Sequence, residues 1–332
     1  MSALAEQTVL VTGPTGFLGG ALVRRLSADG VSVRALARRP ERARAIQALP
    51  GVTVVQGDIR READMQAAVE GCSVVFHAAA ALGGTYDAQY ATNVEGTQTV
   101  ADAAAGAGVA RFVHVSTISV YGYRNFENVT EETLPDPGAD PYHSTKLAAE
   151  HTVRAVSRLH GLPYTIVRPS MIYGPGSNTW TAGMFQLARL NPVPLVGGGD
   201  GSAYPIYVDD VVDLLVTVAT HPAALGETFN CTPDPSPTWR EFLGAYARLA
   251  GHQNFIRVPV DPLLPLAQRV ARLPGTGSSQ FGDLPDLLPF LQRYITYKMD
   301  KARDLLGWEP QVSLEDGVAR CAPYLRQKGL LR

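Results

Sequence analysis

The chain has 332 residues, 45% of them hydrophobic and 18% charged, which is enough apolar material to close a sizeable core in one large α/β unit or two domains. Its 29 Lys and Arg against 31 Asp and Glu leave a net charge of −2, so the basic excess that nucleic acid or an anionic membrane surface would reward is absent. Cys72, Cys231 and Cys321 have no metal-ligand spacing, and they read as reduced thiols in a cytoplasmic protein. No apolar run nears the ~18 residues of a bilayer span, and residues 1–7 lack the basic start of a leader.

From residue 8 onward, short β-branched runs at 8–12, 31–36, 52–55, 73–77, 111–115 and 165–168 alternate with Ala-rich stretches of helical period. That alternation predicts an α/β fold, a parallel sheet with helices on both faces. After Pro169 the texture changes, with Gly-Pro-Gly-Ser at 174–177 and Gly-Gly-Gly-Asp-Gly at 197–201. A strand at 204–208 and the apolar helix after it return to the sheet. Beyond residue 232 the chain is Pro-rich, with helical patterns at 239–250 and 300–306. The Leu- and Pro-rich stretch 262–290 reads equally as a lid, an oligomer contact or an irregular part of a lobe.

Directly after the first strand comes Thr12-Gly13-Pro14-Thr15-Gly16-Phe17-Leu18-Gly19, followed by a helical pattern. Glycines between a first strand and a first helix permit a tight turn and close backbone approach to a pyrophosphate, which the free amides and dipole of the helix N-terminus attract. The expected architecture is therefore a Rossmann-type doubly wound parallel sheet over 1–172 and 205–231. A smaller, mostly helical C-terminal substrate lobe takes 173–204 and 232–332. The second strand ends in Arg38-Arg39, with no acid to bond a ribose 2′-hydroxyl. A guanidinium there suits a 2′-phosphate, so NADP(H) is the expected cofactor and NAD(H) the alternative. Arg38 also fits as the start of a solvated, Arg-rich segment. Gly57-Asp58-Ile59 follows the third strand and offers a carboxylate and an apolar side chain to an adenosine.

Tyr142-His143-Ser144-Thr145-Lys146 places a phenol and an ammonium one helical turn apart. A fixed positive charge beside the phenol is expected to favour the phenolate and draw its pKa toward the working range of a general acid or base. The fifth strand runs into Ser116-Thr117-Ile118-Ser119, which puts hydroxyls at the carboxyl edge of a parallel sheet, where such folds bind ligands.

The order and spacing of these motifs resemble the extended short-chain dehydrogenase/reductases, the superfamily that includes the NAD-dependent epimerases and dehydratases. The glycine loop, Gly57-Asp58-Ile59, His77-Ala78-Ala79-Ala80, Asn93-Val94-Glu95-Gly96-Thr97, Ser116-Thr117 with Tyr121-Gly122, Tyr142 with Lys146, Arg168-Pro169 with Tyr173-Gly174-Pro175, Val208-Asp209-Asp210 and Leu306-Gly307-Trp308-Glu309-Pro310 all follow the pattern, across nearly the whole chain. The resemblance implies reversible hydride transfer at a nicotinamide, with Tyr142 exchanging the substrate's proton and Lys146 holding the nicotinamide ribose. Thr117 matches the hydroxyl that bonds the substrate oxygen, with Ser116 and Ser119 as second choices, and Asn93 is a supporting residue. Gly13, Thr15, Gly16, Phe17, Leu18, Arg38, Asp58, Ile59, Ala78, Ala79, Ala80 and Pro169 would join Tyr142 and Lys146 around the cofactor. Pairing into a homodimer through the helices at 93–105 and 142–158 is expected by the same analogy.

Two departures narrow the chemistry. Thr117 is followed by Ile118 and Ser119 instead of the Asp-Glu pair of the dehydratases, which counts against water loss. Ala203 stands where sugar-nucleotide members carry an arginine for the diphosphate, and losing a bidentate phosphate contact removes specificity. The expected substrate wall, Leu82, Gly83, Thr117, Ser119, Met171, Tyr173, Trp180, Met184, Phe185 and Tyr204, carries few charges and suits an apolar or medium-sized carbonyl/alcohol pair. Lobe core is the competing role for each of its apolar members. The alternative chemistry is a sugar or nucleotide-sugar epimerase with tightly bound NAD. His77, His114 and His143 are not expected to be catalytic, and no His, Cys, Asp and Glu set has metal-site spacing.

Overall fold

A computed structural model describes residues 4–122, 126–259 and 290–332. The stretch 262–289, read as a lid, contact or irregular segment, lies outside the described residues. Thirteen strands are present among the described residues: β1 Thr8–Thr12, β2 Ser32–Ala37, β3 Val52–Gln56, β4 Val74–His77, β5 Arg111–Val115, β6 Phe126–Val129, β7 Tyr164–Pro169, β8 Met171–Tyr173, β9 Val193–Val196, β10 Pro205–Tyr207, β11 Thr228–Cys231, β12 Phe255–Val258 and β13 Ile295–Tyr297.

Seven of them form one parallel sheet in the order β11-β7-β5-β4-β1-β2-β3. The central strands are apolar on both faces because helices cover both. Leu10, Val75 and Phe112 pack against Met65, Val100 and Val153 on one side. Val9, Val11, Phe76 and Val113 join Leu22, Leu26, Val212 and Leu215 on the other. The expected doubly wound α/β sheet is therefore the observed one. The strand order reverses direction at β1 and β4, which opens a crevice above their carboxyl ends, the ligand-binding position of such sheets.

The late strand β10 does not enter this sheet. It pairs with β8, directly after β7, and β11 takes the outermost place beside β7. The main-sheet strand β7 ends at Pro169, and β8 begins at Met171, with Ser170 between them. Outside the main sheet β9 pairs with β12 and β6 with β13, and the C-terminal part is helical, with helices Trp239–Leu249, Asp300–Leu306, Leu314–Arg320 and Ala322–Gln327. The three cysteines are free and buried.

Candidate active site

The glycine turn is built as its sequence demands. Gly13 has φ +70°, and a Cβ there would lie 2.8 Å from the Ala79 backbone. At Gly19 a Cβ would collide with the Gly13 carbonyl. Helix Phe17–Ala28 begins at Gly16 without a side-chain cap, so its first amides stay available to an anion. Thr15 and Gly16 are exposed on this turn, whereas Phe17 and Leu18 are half-buried. A backbone cradle that any side chain would fill, under an uncapped helix end, fits the pyrophosphate of a dinucleotide.

The remaining cofactor candidates fall around the same edge. Ala78, Ala79 and Ala80 run beside Gly13 as a half-buried loop after β4. Arg38 is exposed at the end of β2. Asp58 is ion-paired with Arg60 at 2.6 Å. That hydrogen bond outweighs the opposing effect of burial and, helped by the charge of Arg38, holds the Asp58 carboxyl below its ordinary range. Ile59 is buried against Gly96, and Pro169 is buried at the end of β7.

A hydrogen-bonded chain that the sequence did not reveal orders the loop from below. The Ala79 amide donates to Thr12 Oγ1 at 3.2 Å, Thr12 Oγ1 meets His77 Nδ1 at 2.8 Å, and His77 Nε2 meets Thr97 Oγ1 at 2.9 Å. Thr97 Oγ1 donates onward to the Asn93 carbonyl at 2.5 Å. Because that hydroxyl has spent its proton, it can only accept from His77, which fixes a neutral Nε2–H imidazole with Nδ1 accepting from Thr12. Burial first, then the Lys146 charge, pushes His77 down to about 3, in keeping with that neutral form. Asn93, in a π-helical turn over Ala91–Glu95, exchanges two hydrogen bonds with Ala81 at 2.7 and 3.0 Å and donates to Thr145 Oγ1 at 3.0 Å.

Helix Pro141–His160 carries Tyr142 and Lys146. It starts at a capping Asp140 whose carboxylate accepts the amides of Tyr142 and His143, with Pro141 in the first turn, and it ends at a left-handed Gly161. The helix lays Lys146 against the sheet, where Nζ donates to the Val115 carbonyl at 2.7 Å. Tyr142 stands near enough to Thr117 for that hydroxyl to lower its pKa, while Thr117 Oγ1 accepts from the Ser119 amide at 3.2 Å and lies 3.0 Å from Ser119 Oγ. The three residues singled out as catalytic are thus brought together at the carboxyl edge of β5.

The electrostatics differ from the expected phenolate. Burial, reinforced by the Asp140 carboxylate and opposed by the Thr117 hydroxyl, pushes the Tyr142 phenol up to about 12. Burial also lowers Lys146 to about 8. Both shifts have one cause, the removal of water from around the charged form. The chain by itself therefore keeps Tyr142 a proton donor.

Ser116, a second-choice hydroxyl, points elsewhere. Its Oγ donates to Glu150 Oε1 at 2.6 Å, and Glu150 is held by Arg168 through two bonds of 2.8 and 2.7 Å and by Arg154 at 3.0 Å. Of the substrate-wall residues, Ser119 is buried beside Thr117, Met171 is buried at the base of the lobe and Leu82 is 54% exposed at the rim. Tyr204 is buried edge-on against Tyr297, Tyr173 against Tyr207 and Phe242, and Phe185 against Tyr246, so these rings form the lobe's interior. Trp180 and Met184 are partly buried beside them. Ala203 is fully buried. His114 is fully buried as well, stacked on His77 at 5.5 Å. Among the described residues no three His, Cys, Asp or Glu side chains group as a metal site, and no helix is long and apolar enough to cross a membrane.

Residues 9–232, the whole sheet with its site, match the model of the NAD dependent epimerase/dehydratase family. The chain belongs to that family. It is 31% identical over 339 residues to a UDP-glucose 4-epimerase of Mycolicibacterium smegmatis, covering 96% of this chain and 98% of that one. It is 30% identical over 346 residues to a 3 beta-hydroxysteroid dehydrogenase/Delta 5-->4-isomerase of Mycobacterium tuberculosis, covering 95% and 90%. A short-chain dehydrogenase/reductase superfamily protein from Agrobacterium tumefaciens, solved with bound NAD, superposes with a TM-score of 0.74 at 25% identity over 97% of this chain and 98% of that one. The resemblance read from the motifs is borne out, and this member of the NAD-dependent family is an enzyme.

Proposed function

We propose that this enzyme performs net hydride transfer between a nicotinamide and an apolar or medium-sized carbonyl/alcohol substrate, with NADP(H) the preferred cofactor. The observation that carries the reading is the placement of Tyr142 and Lys146, one helical turn apart, against the carboxyl end of β5, where Lys146 holds the Val115 carbonyl and Thr117 stands close to the phenol. Gly13, Thr15, Gly16, Phe17 and Leu18 would hold the pyrophosphate, with Asp58, Ile59 and Ala78 to Ala80 around the adenosine and Pro169 near the nicotinamide. Arg38 would pair with a 2′-phosphate. The bound cofactor supplies or takes up the hydride.

The chain's own residues handle the proton. Thr117 donates to the substrate oxygen, and Tyr142, high in pKa and protonated at neutral pH, gives its proton to that oxygen as a carbonyl is reduced. Alcohol oxidation runs the same transfer backward and needs the phenolate, which the Lys146 ammonium would favour once the amine is drawn from the Val115 carbonyl toward ribose hydroxyls. Leu82, Ser119 and Met171 would contact the substrate, and Ile118-Ser119 after Thr117, in place of an Asp-Glu pair, count against dehydration. The fully buried Ala203, which offers no cation to a diphosphate, supports a neutral substrate. Two subunits would pair through the 93–105 and 142–158 helices.

A second reading has one observation behind it, the 31% identity to a UDP-glucose 4-epimerase over nearly the whole chain. In that reading a tightly held NAD oxidises and re-reduces one sugar carbon without net redox change. Purification without added nucleotide, followed by denaturation and identification of what is released, separates the two. An empty protein that binds NADPH supports net hydride transfer, whereas NAD⁺ recovered near one per chain overturns it. Within the first reading, Tyr142→Phe is expected to lower turnover at least a hundredfold with NADPH affinity unchanged; retained turnover removes Tyr142 from the chemistry.

A further inference from the structure

Three successive residues at the end of β5 are tied to one helix. Lys146 Nζ holds the Val115 carbonyl, Glu150 receives the Ser116 hydroxyl, and Tyr142 stands close to Thr117. Tyr142, Lys146 and Glu150 are spaced four residues apart, so they share one face of helix Pro141–His160. Glu150 is fully buried, and its carboxylate is oriented by the bidentate Arg168 and by Arg154. Arg168 in turn donates to the Tyr121 hydroxyl at 2.6 Å, and Tyr121 closes the turn that begins at Thr117. On its other side the Ser116 amide donates to the Val167 carbonyl at 2.7 Å.

The consequence is geometric. Thr117 is the second residue beyond β5, and it has an extended backbone leading into a short turn. Within its own turn the hydroxyl is held by the Ser119 amide at 3.2 Å, and its height along the helix, next to Tyr142, follows from where the preceding residue is pinned. Ser116 is that residue, and Glu150 is a rigid acceptor two turns along the helix from Tyr142. We propose that Ser116 and Glu150 are a positioning pair that sets the Thr117 hydroxyl against Tyr142, outside the reacting atoms themselves. The proposal rests on the reading of Thr117, Tyr142 and Lys146 as the catalytic set.

The pair predicts a phenotype distinct from that of a structural ion cluster. Ser116→Ala removes the tie and leaves the Glu150 interactions with Arg168 and Arg154 intact. Without its neighbour pinned, Thr117 moves away from the phenol, and its nearness is what lowers the Tyr142 pKa. With 4-nitrobenzaldehyde as the probe and NADPH as reductant, Ser116→Ala is expected to lower kcat about tenfold. KM and NADPH affinity should stay within twofold and the unfolding temperature within a few degrees. The apparent pKa of the kcat profile should move upward, and Ser116→Thr, which keeps the hydroxyl, should restore both.

Unchanged kcat and pH profile in Ser116→Ala overturn the proposal. So does a fall in kcat matched by equal losses in NADPH binding and thermal stability, since that marks a purely structural role. Hydrogen exchange of the cofactor-free proteins decides the tie without any substrate: amides at 117–122 should exchange at least tenfold faster in Ser116→Ala, with 152–160 unchanged. Equal exchange overturns the pair even if the probe is not turned over. Wild-type turnover in Tyr142→Phe, by contrast, sinks the catalytic reading and leaves the exchange result standing.

Discussion

At the scale of single residues, the site works by deciding which polar groups lose their water. Tyr142 and Lys146 are both pushed toward their neutral forms by burial, Tyr142 up to about 12 and Lys146 down to about 8. Position alone, an ammonium one turn from a phenol, pointed to the opposite for the tyrosine. Sequence spacing gives adjacency but not solvation, and solvation is the larger effect here. Arg38 is the residue where cofactor choice is testable, because it is exposed at the end of β2 near Asp58, whose charge already pairs with Arg60. Arg38→Asp is expected to weaken NADPH at least tenfold more than NADH in fluorescence titrations, as a bidentate phosphate contact becomes a repulsion. Equal losses for both cofactors would refute the 2′-phosphate role.

At the scale of elements, helix Pro141–His160 is where sequence and structure agree most closely. Pro141 in the first turn, Asp140 as cap and Gly161 as stop are ordinary local signals, and they fix which face carries Tyr142, Lys146 and Glu150. Asp140 has two effects: it caps the helix, and its charge raises the Tyr142 pKa. Asp140→Asn separates them, because asparagine caps about as well as aspartate. The variant should keep its thermal stability while alcohol oxidation switches on at lower pH, read from the pH profile of NADPH formation. An unmoved profile would show that the cap charge does not reach the phenol. The elements after Pro169 were legible only in part, since β10 looked like a return to the main sheet and pairs with β8 instead. A three-residue strand with its neighbours is too short for periodicity to say which partner it will find.

At the scale of the whole molecule, the two histidines beneath the sheet edge make folding sensitive to acid. Burial, and then the Lys146 charge, pushes His77 down to about 3 and His114 well below its ordinary range. The unfolded chain takes up protons below ~6.5 that the folded chain refuses, so their stabilisation is complete above that pH and is lost as pH falls toward the folded values. His77 should cost up to about 2 kcal/mol between about pH 6.5 and 5, the size of a ~1.5-unit span of the linkage, and His114 acts in the same direction. Urea unfolding across that range is the measurement, with His114→Phe as control. Among the described residues neither His114 nitrogen has a hydrogen-bond partner, so the phenyl ring should be tolerated and should reduce the slope. An unchanged slope would refute the assignment of protons to His114.

The sequence by itself determined the alternation of strands and helices that makes a parallel sheet, the glycine turn and the Tyr142 to Lys146 spacing, because each is a local pattern along the chain. The family followed from the order of those local signals. Tertiary structure alone decided that Ser116 turns to Glu150 and not to the substrate side, that His77 is a neutral link between Thr12 and Thr97, and that Tyr204 packs against Tyr297. These outcomes join residues 20 to 93 positions apart, and the removal of water that sets their protonation exists only once the helices have closed over the sheet.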